Sequence, residues 1–121
     1  MIGIGVDLCD VDRMRVVIAR TPSIVERLFT PGEVDYCSQR ADPSERYAAR
    51  FAAKEAVLKA MGLGLGACRW HDIEVVRAES GQPGVILRGA AAEAAAARGI
   101  SRWLLTMSHT ATLAEAIAVA L

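Results

Sequence analysis

The sequence predicts one compact α+β domain with a mainly antiparallel sheet and a long central helix. Three observations carry that prediction. Residues 2 to 8 alternate Ile2, Ile4, Val6 and Leu8 with Gly3, Gly5 and Asp7, the period of a half-buried strand. A start signal at Asp42 and Pro43 opens a helical pattern that runs to about Met61. Beyond it, strand patterns and an alanine-rich segment follow without regular βαβ alternation, which argues against a doubly wound sheet. The 121 residues suit a single domain spanning 1–121, in which about two thirds of the unfolded surface can be buried.

The first strand is expected to turn its apolar side to the core, leaving Gly3 and Gly5 as open space beside the Asp7 carboxylate. Asp10 and Asp12 can cap a helix running to about Arg20, stopped by Pro22. Three capping-box signatures follow, Ser23 with Glu26, Thr30 with Glu33, and Asp42 with Glu45. Pro31 and Pro43 suit the first helical position of the last two. Gly62, Gly64 and Gly66 end the long helix, and 72–77 then reads as a strand. S-G-Q-P-G at 80–84 is a turn and 85–88 the returning strand. Residues 90–98 form a short helix closed by Gly99, and 100–108 and 112–121 are read as the last two strands.

Composition narrows the function. Lys plus Arg and Asp plus Glu balance at 14 each, with nine of each up to Met61, so general nucleic-acid binding is not expected. Hydrophobic residues make up 53% and mean hydropathy is +0.27, high for a soluble monomer, which points to apolar surface covered by another subunit. Cys9, Cys37 and Cys68 lie far apart without C-x-x-C spacing, which suits a reduced cytoplasm and no zinc site. No apolar run approaches the roughly 20 residues that span a bilayer, so a soluble, unprocessed protein is expected.

The chemistry concentrates on the long helix. Arg46, Arg50 and Lys54 are spaced by four and make a basic stripe, while Glu55 and Lys59 share another side. Ala49, Ala53, Ala56 and Ala60 form a small-residue face that can approach the glycines of the first strand, bringing Asp7 toward Glu55. Two carboxylates brought together in a partly buried place repel unless a proton or divalent cation intervenes. Magnesium suits such oxygen ligands and commonly completes its shell with substrate phosphates, to which Lys59 offers a point charge. Spacing alone favours a plainer reading, with Glu55 and Lys59 as a surface pair worth about 0.3–0.5 kcal/mol and Asp7 paired locally.

The other motifs are weaker. G-I-G-V-D-L lacks the third glycine of a dinucleotide fingerprint, and the 62–66 glycines follow a helix rather than precede one. Ser108 and His109 are neighbours on an extended chain and point to opposite faces, a poor nucleophile and base pair. His109 suits a substrate contact or a structural hydrogen bond equally, and His71 has no partner visible in the sequence.

Several segments occur in a recognisable order: G-I-G-V-D at 3–7 followed by Arg13, F-T-P-G-E at 29–33, R-F-A-A-K-E-A-V-L-K-A at 50–60, D-I-E-V at 72–75, G-Q-P at 81–83 and S-H-T at 108–110. The first and third are specific; the last two mean little alone. Over nearly its whole length the chain resembles the holo-[acyl-carrier-protein] synthase type of 4′-phosphopantetheinyl transferase. The resemblance implies that fold, and magnesium-dependent transfer of the phosphopantetheine arm of coenzyme A to a serine of acyl carrier protein, releasing adenosine 3′,5′-bisphosphate. It implies Asp7 and Glu55 as metal ligands and Lys59 near the pyrophosphate; Lys59 and Glu55 are the catalytic candidates, the serine proton being expected to pass to Glu55 or to a metal-bound water held near it. Arg50, Lys54 and His109 match positions at the nucleotide end, and Arg13 and Arg20 match basic positions on the helix that docks the carrier. It also implies a homotrimer with sites between subunits, serving a carrier of fatty acid biosynthesis or of polyketide synthesis, in the cytoplasm that the cysteines suit. The docking helix carries only Arg13, Arg15 and Arg20, a modest positive surface. A non-catalytic coenzyme A or carrier-binding module and a small metal-dependent phosphohydrolase are the competing readings.

Overall fold

The computed structural model describes all 121 residues. In chain order they form β1 (Gly3–Asp10), α1 (Val11–Arg20), α2 (Ile24–Leu28), α3 (Pro31–Cys37), α4 (Ser44–Ala60), a 3-10 turn (Trp70–Asp72), β2 (Ile73–Arg77), β3 (Pro83–Leu87), α5 (Gly89–Ala97), β4 (Trp103–His109) and β5 (Leu113–Ala120). Antiparallel pairing orders one sheet as β1-β5-β4, and β2 and β3 make a separate hairpin. The register sets Gly3 opposite Ala120, Gly5 opposite Ala118 and Asp7 opposite Ala116. The α+β class and every predicted strand are present.

Helix α4 is the centre of the molecule, with 12 of its 17 residues buried. It lies on the inner face of the three-stranded sheet, where Ala52, Ala53, Ala56 and Ala60 meet Ala116, Ala118 and Ala120 in one core. The predicted contact between its small-residue face and the glycines of β1 is present, and it is tighter than packing through side chains. A Cβ at Gly5 would come to 2.8 Å from Ala60 N and 3.0 Å from the Ala56 carbonyl carbon, and one at Gly3 would strike the Ala60 carbonyl. The expected open space beside Asp7 is therefore filled by helix backbone.

This contact also corrects the predicted orientation of β1. The glycine side faces the core, and Ile4, Val6 and Leu8 on the other side are 60%, 49% and 56% exposed. Strand alternation identifies two faces but not which is covered. Here backbone-to-backbone approach covers the glycine face, and the apolar face is left outward beside Leu104 and Leu113.

The caps decide the helix starts. Asp10 accepts from Arg13 N–H at 2.8 Å and begins α1 as expected. Thr30 and Glu33 form the complete predicted box on α3. The Ser23 box is absent, because Ser23 has helical backbone angles and makes no side-chain cap. Asp42 accepts from Ser44 N–H at 3.1 Å, a local turn that starts α4 at Ser44 without help from Glu45. At the far end Gly62 takes φ +70°, and Leu63 N–H closes back to the Leu58 carbonyl at 2.9 Å, the Schellman arrangement.

Candidate active site

The close seam between β1 and α4 builds the site. Two residues beyond Gly5, Asp7 lies on the same inner side of β1, and Glu55 and Lys59 stand one helical turn apart on α4. Lys59 Nζ donates to Asp7 Oδ1 at 2.7 Å and to the Val6 carbonyl at 3.1 Å. The Asp7 side chain is only 12% exposed, whereas that of Lys59 is 54% exposed and free to reach a ligand. Burial, then the charge and hydrogen bond of Asp7, push the Glu55 carboxyl above its ordinary value, with Lys59 opposing. The neighbouring Cys9 thiol is pushed up to about 11, first by burial and then by Glu55, Asp7 and Asp10.

A cleft of about 550 Å³ opens beside Glu55 between β1, α1, α2 and α4. Leu8, Met14, Val17 and Phe51 make it apolar, and Arg13 and Asp10 stand in its lining. On α1, Arg15 is occupied by Asp12 and Asp42, its distance to Asp42 being 2.9 Å. Arg13 and Arg20 make no ion pair and remain exposed.

The basic stripe of α4 turns away from the carboxylates and toward α3. Arg50 is 3% exposed, with its guanidinium 4.1 Å from the Tyr36 ring centroid and its Nε without a hydrogen-bond partner. Arg46 and Arg77 approach the same ring at 4.0 and 5.3 Å. Lys54 is fully buried and binds Glu33 Oε1 at 2.7 Å and the carbonyls of Trp70 and Ile73 at 3.0 and 2.5 Å. Its three N–H groups are thereby satisfied, which makes it a framework cation within this chain rather than one open to a nucleotide. His109 lies at the other end of α4, with Nδ1 3.2 Å from Glu45 Oε2.

The structure therefore gathers Asp7, Glu55 and Lys59 at one point, with Arg13 beside the adjoining cleft. It does not bring Arg50, Lys54 or His109 to that point in a single subunit. The sequence reading missed Tyr36 and the second role of Glu33. The T-P-G-E box reveals the capping role of Glu33, but its second role toward Lys54 depends on tertiary packing across 21 residues.

An acid pair with an adjoining lysine at a strand and helix seam defines a class once its relatives are known. Residues 3–115 match the 4′-phosphopantetheinyl transferase superfamily, and the chain belongs to it. It is therefore an enzyme of the transferase kind. Within that class the resemblance is to holo-[acyl-carrier-protein] synthases in particular. The protein of that name from Desulforudis audaxviator is 50% identical over 121 residues, covering 99% of this chain and 92% of the relative. The crystal structure of the Neisseria meningitidis holo-[acyl-carrier-protein] synthase superposes with a TM-score of 0.89 at 32% identity, covering 100% of this chain and 98% of that one. The Helicobacter pylori enzyme, solved in complex with coenzyme A, gives 0.86 at 28% identity over 98% and 99% of the two chains.

Proposed function

We propose that this chain transfers the 4′-phosphopantetheine group of coenzyme A to a serine of apo acyl carrier protein, releasing adenosine 3′,5′-bisphosphate, with magnesium held by Asp7 and Glu55. The observation that carries the reading is the Asp7, Glu55 and Lys59 constellation beside a cleft lined by Arg13. The donor set fits a divalent cation: two hard carboxylates are held together on a partly buried surface, where burial first and then the charge of Asp7 raise Glu55. When bound, magnesium supplies positive charge to the pyrophosphate of coenzyme A.

The chain's own residues do the rest. Lys59 leaves Asp7 for the pyrophosphate oxygens as substrate enters, which its exposure allows. The carrier serine approaches through the cleft and is held in line with the β-phosphorus, so that positioning and electrostatics lower the barrier. Glu55, at the cleft wall, is the residue assigned to the serine proton. Arg13 and Arg20 receive the acidic carrier.

The exposed apolar face of β1, β4 and β5 supports a homotrimer. A site shared between subunits also explains why His109 stands apart from the carboxylates in one chain; its nucleotide contact belongs to the subunit boundary, whereas Arg50 is stacked on Tyr36 and nearly inaccessible within the subunit. The three unpaired cysteines suit the reducing cytoplasm, and no helix is long and apolar enough to cross a membrane.

Incubation with coenzyme A, magnesium and apo acyl carrier protein is expected to add the phosphopantetheine mass to the carrier. Asp7→Asn and Glu55→Gln each lower the rate by roughly 100-fold or more, the scale of a lost transition-state charge contact, with the fold retained by circular dichroism. An unmodified carrier, or full activity in both variants, refutes the assignment.

A further inference from the structure

We propose that His71 is a positioning residue for carrier docking, pinning α2 as a wall of the cleft beside Glu55. The inference rests on reading that cleft as the entrance for the carrier serine. Its starting point is an orphaned carbonyl. In a continuing helix the Glu26 carbonyl would accept from the Thr30 N–H four residues on. The capping box of α3 takes that donor away, because Thr30 N–H goes to Glu33 Oε1 at 2.9 Å. His71 supplies the replacement, with Nε2 2.6 Å from the Glu26 carbonyl. Since the partner is a carbonyl, Nε2 carries the proton and donates.

Beyond the partial burial of Val25 and Leu28 against the core of α1 and α4, little else holds α2. The helix has five residues, none of them fully buried, and no side-chain cap. Its backbone hydrogen bonds are local to 21–29, and the His71 bond is the only one arriving from another element. Yet Ile24 and Leu28 of this helix line the cleft together with Glu55. Such a weakly held segment opens at low cost unless tethered.

The base on which His71 stands is stiff. The Trp70 carbonyl accepts from Lys54 Nζ at 3.0 Å, and Lys54 is held in turn by Glu33 at 2.7 Å. The Trp70 ring packs on Phe51 at 5.0 Å between centroids, and Phe51 is itself a cleft residue. A continuous run of contacts, Glu33 to Lys54 to Trp70 to His71 to Glu26, thus carries the rigidity of α4 to the far wall of the cleft.

The test is steady-state transfer with a bacterial apo acyl carrier protein. His71→Ala is expected to raise KM for the carrier about fivefold, the scale of one net hydrogen bond, while kcat and KM for coenzyme A stay within about twofold. His71→Gln, whose amide reaches as far as Nε2, restores the carrier KM. In His71→Ala the Arg27 and Phe29 amides exchange hydrogen faster, and those of β1 and β5 do not. His71→Phe keeps the ring, removes the donor and guards against a folding failure of the alanine variant. A wild-type carrier KM in His71→Phe, or a parallel rise in KM for coenzyme A, overturns the proposal. Absence of transfer by the unmodified enzyme would instead remove the functional reading on which it rests.

Discussion

Substituting Gly5 by alanine tests the seam that builds the site. The added methyl would lie 2.8 Å from Ala60 N and 3.0 Å from the Ala56 carbonyl carbon, and closer still to the Ala56 oxygen. These are backbone atoms of α4, so no rotamer change can relieve the overlap. Ordinary contact begins at 3.4 Å, and the Ala56 oxygen, the closest atom, sets the displacement: the helix must retreat from β1 by more than about 1 Å. Overpacking of this kind costs about 1–3 kcal/mol, and at about 2 kcal/mol a domain of this size loses roughly 10 °C in Tm. The same retreat separates Asp7 on β1 from Glu55 and Lys59 on α4. A misplacement of about 1 Å can cost 10²-fold in rate, so a loss on the order of 10²-fold in kcat is expected here. Gly84→Ala is the control, since its methyl meets only Val76 Cγ2 at 3.6 Å. Thermal melts and carrier-transfer kinetics read both effects. A Gly5→Ala protein with unaltered Tm and kcat, or equal damage from Gly84→Ala, refutes the reasoning.

Further outcomes follow from other parts of the structure. Lys54→Met leaves Glu33 buried without its counter-charge and is expected to cost about 3–5 kcal/mol; adding Glu33→Gln recovers part of it, and additive losses in urea denaturation would contradict the coupling. Burial pushes the Glu74 carboxyl up, but hydrogen bonds from Thr30 and Arg88 outweigh burial and hold it below its ordinary value. Its stabilisation is therefore full above the unfolded value and lost as pH falls through the folded one, so Glu74→Gln flattens the acid limb of a plot of Tm against pH. An acid limb of unchanged slope would count against that account. On the proposed homotrimer reading, Ile4→Asp on the outward face of β1 is expected to give monomers in sedimentation velocity where the unaltered protein gives trimers; identical sedimentation of the two proteins refutes a contact through that face.

Much of this architecture was legible in local patterns. The alternation of 2–8, the Thr30 and Glu33 box and the alanine and glycine faces each report a short-range rule, and each has its counterpart in the structure. The meeting of Asp7 with Glu55 was legible because small residues on both elements left only one close way to pack. What escaped was decided at longer range. Which side of β1 is covered depends on a helix more than 40 residues away. The burial of Lys54 depends on Glu33 and on carbonyls beyond the glycine loop, so spacing showed a basic stripe where the fold makes an internal ion pair. The partner of His71 is a backbone carbonyl, which no side-chain pattern announces.

The missing side chains at Gly3 and Gly5 have an effect beyond fit. With main chain resting on main chain, that flank of the candidate site has no rotamers through which to absorb change, and variation there is confined to the smallest residues. The opposite flank, a single short helical turn with nothing fully enclosed, has ample freedom. Adaptation to a new carrier is therefore expected to accumulate around Ile24 and Leu28, leaving the seam between β1 and α4 untouched.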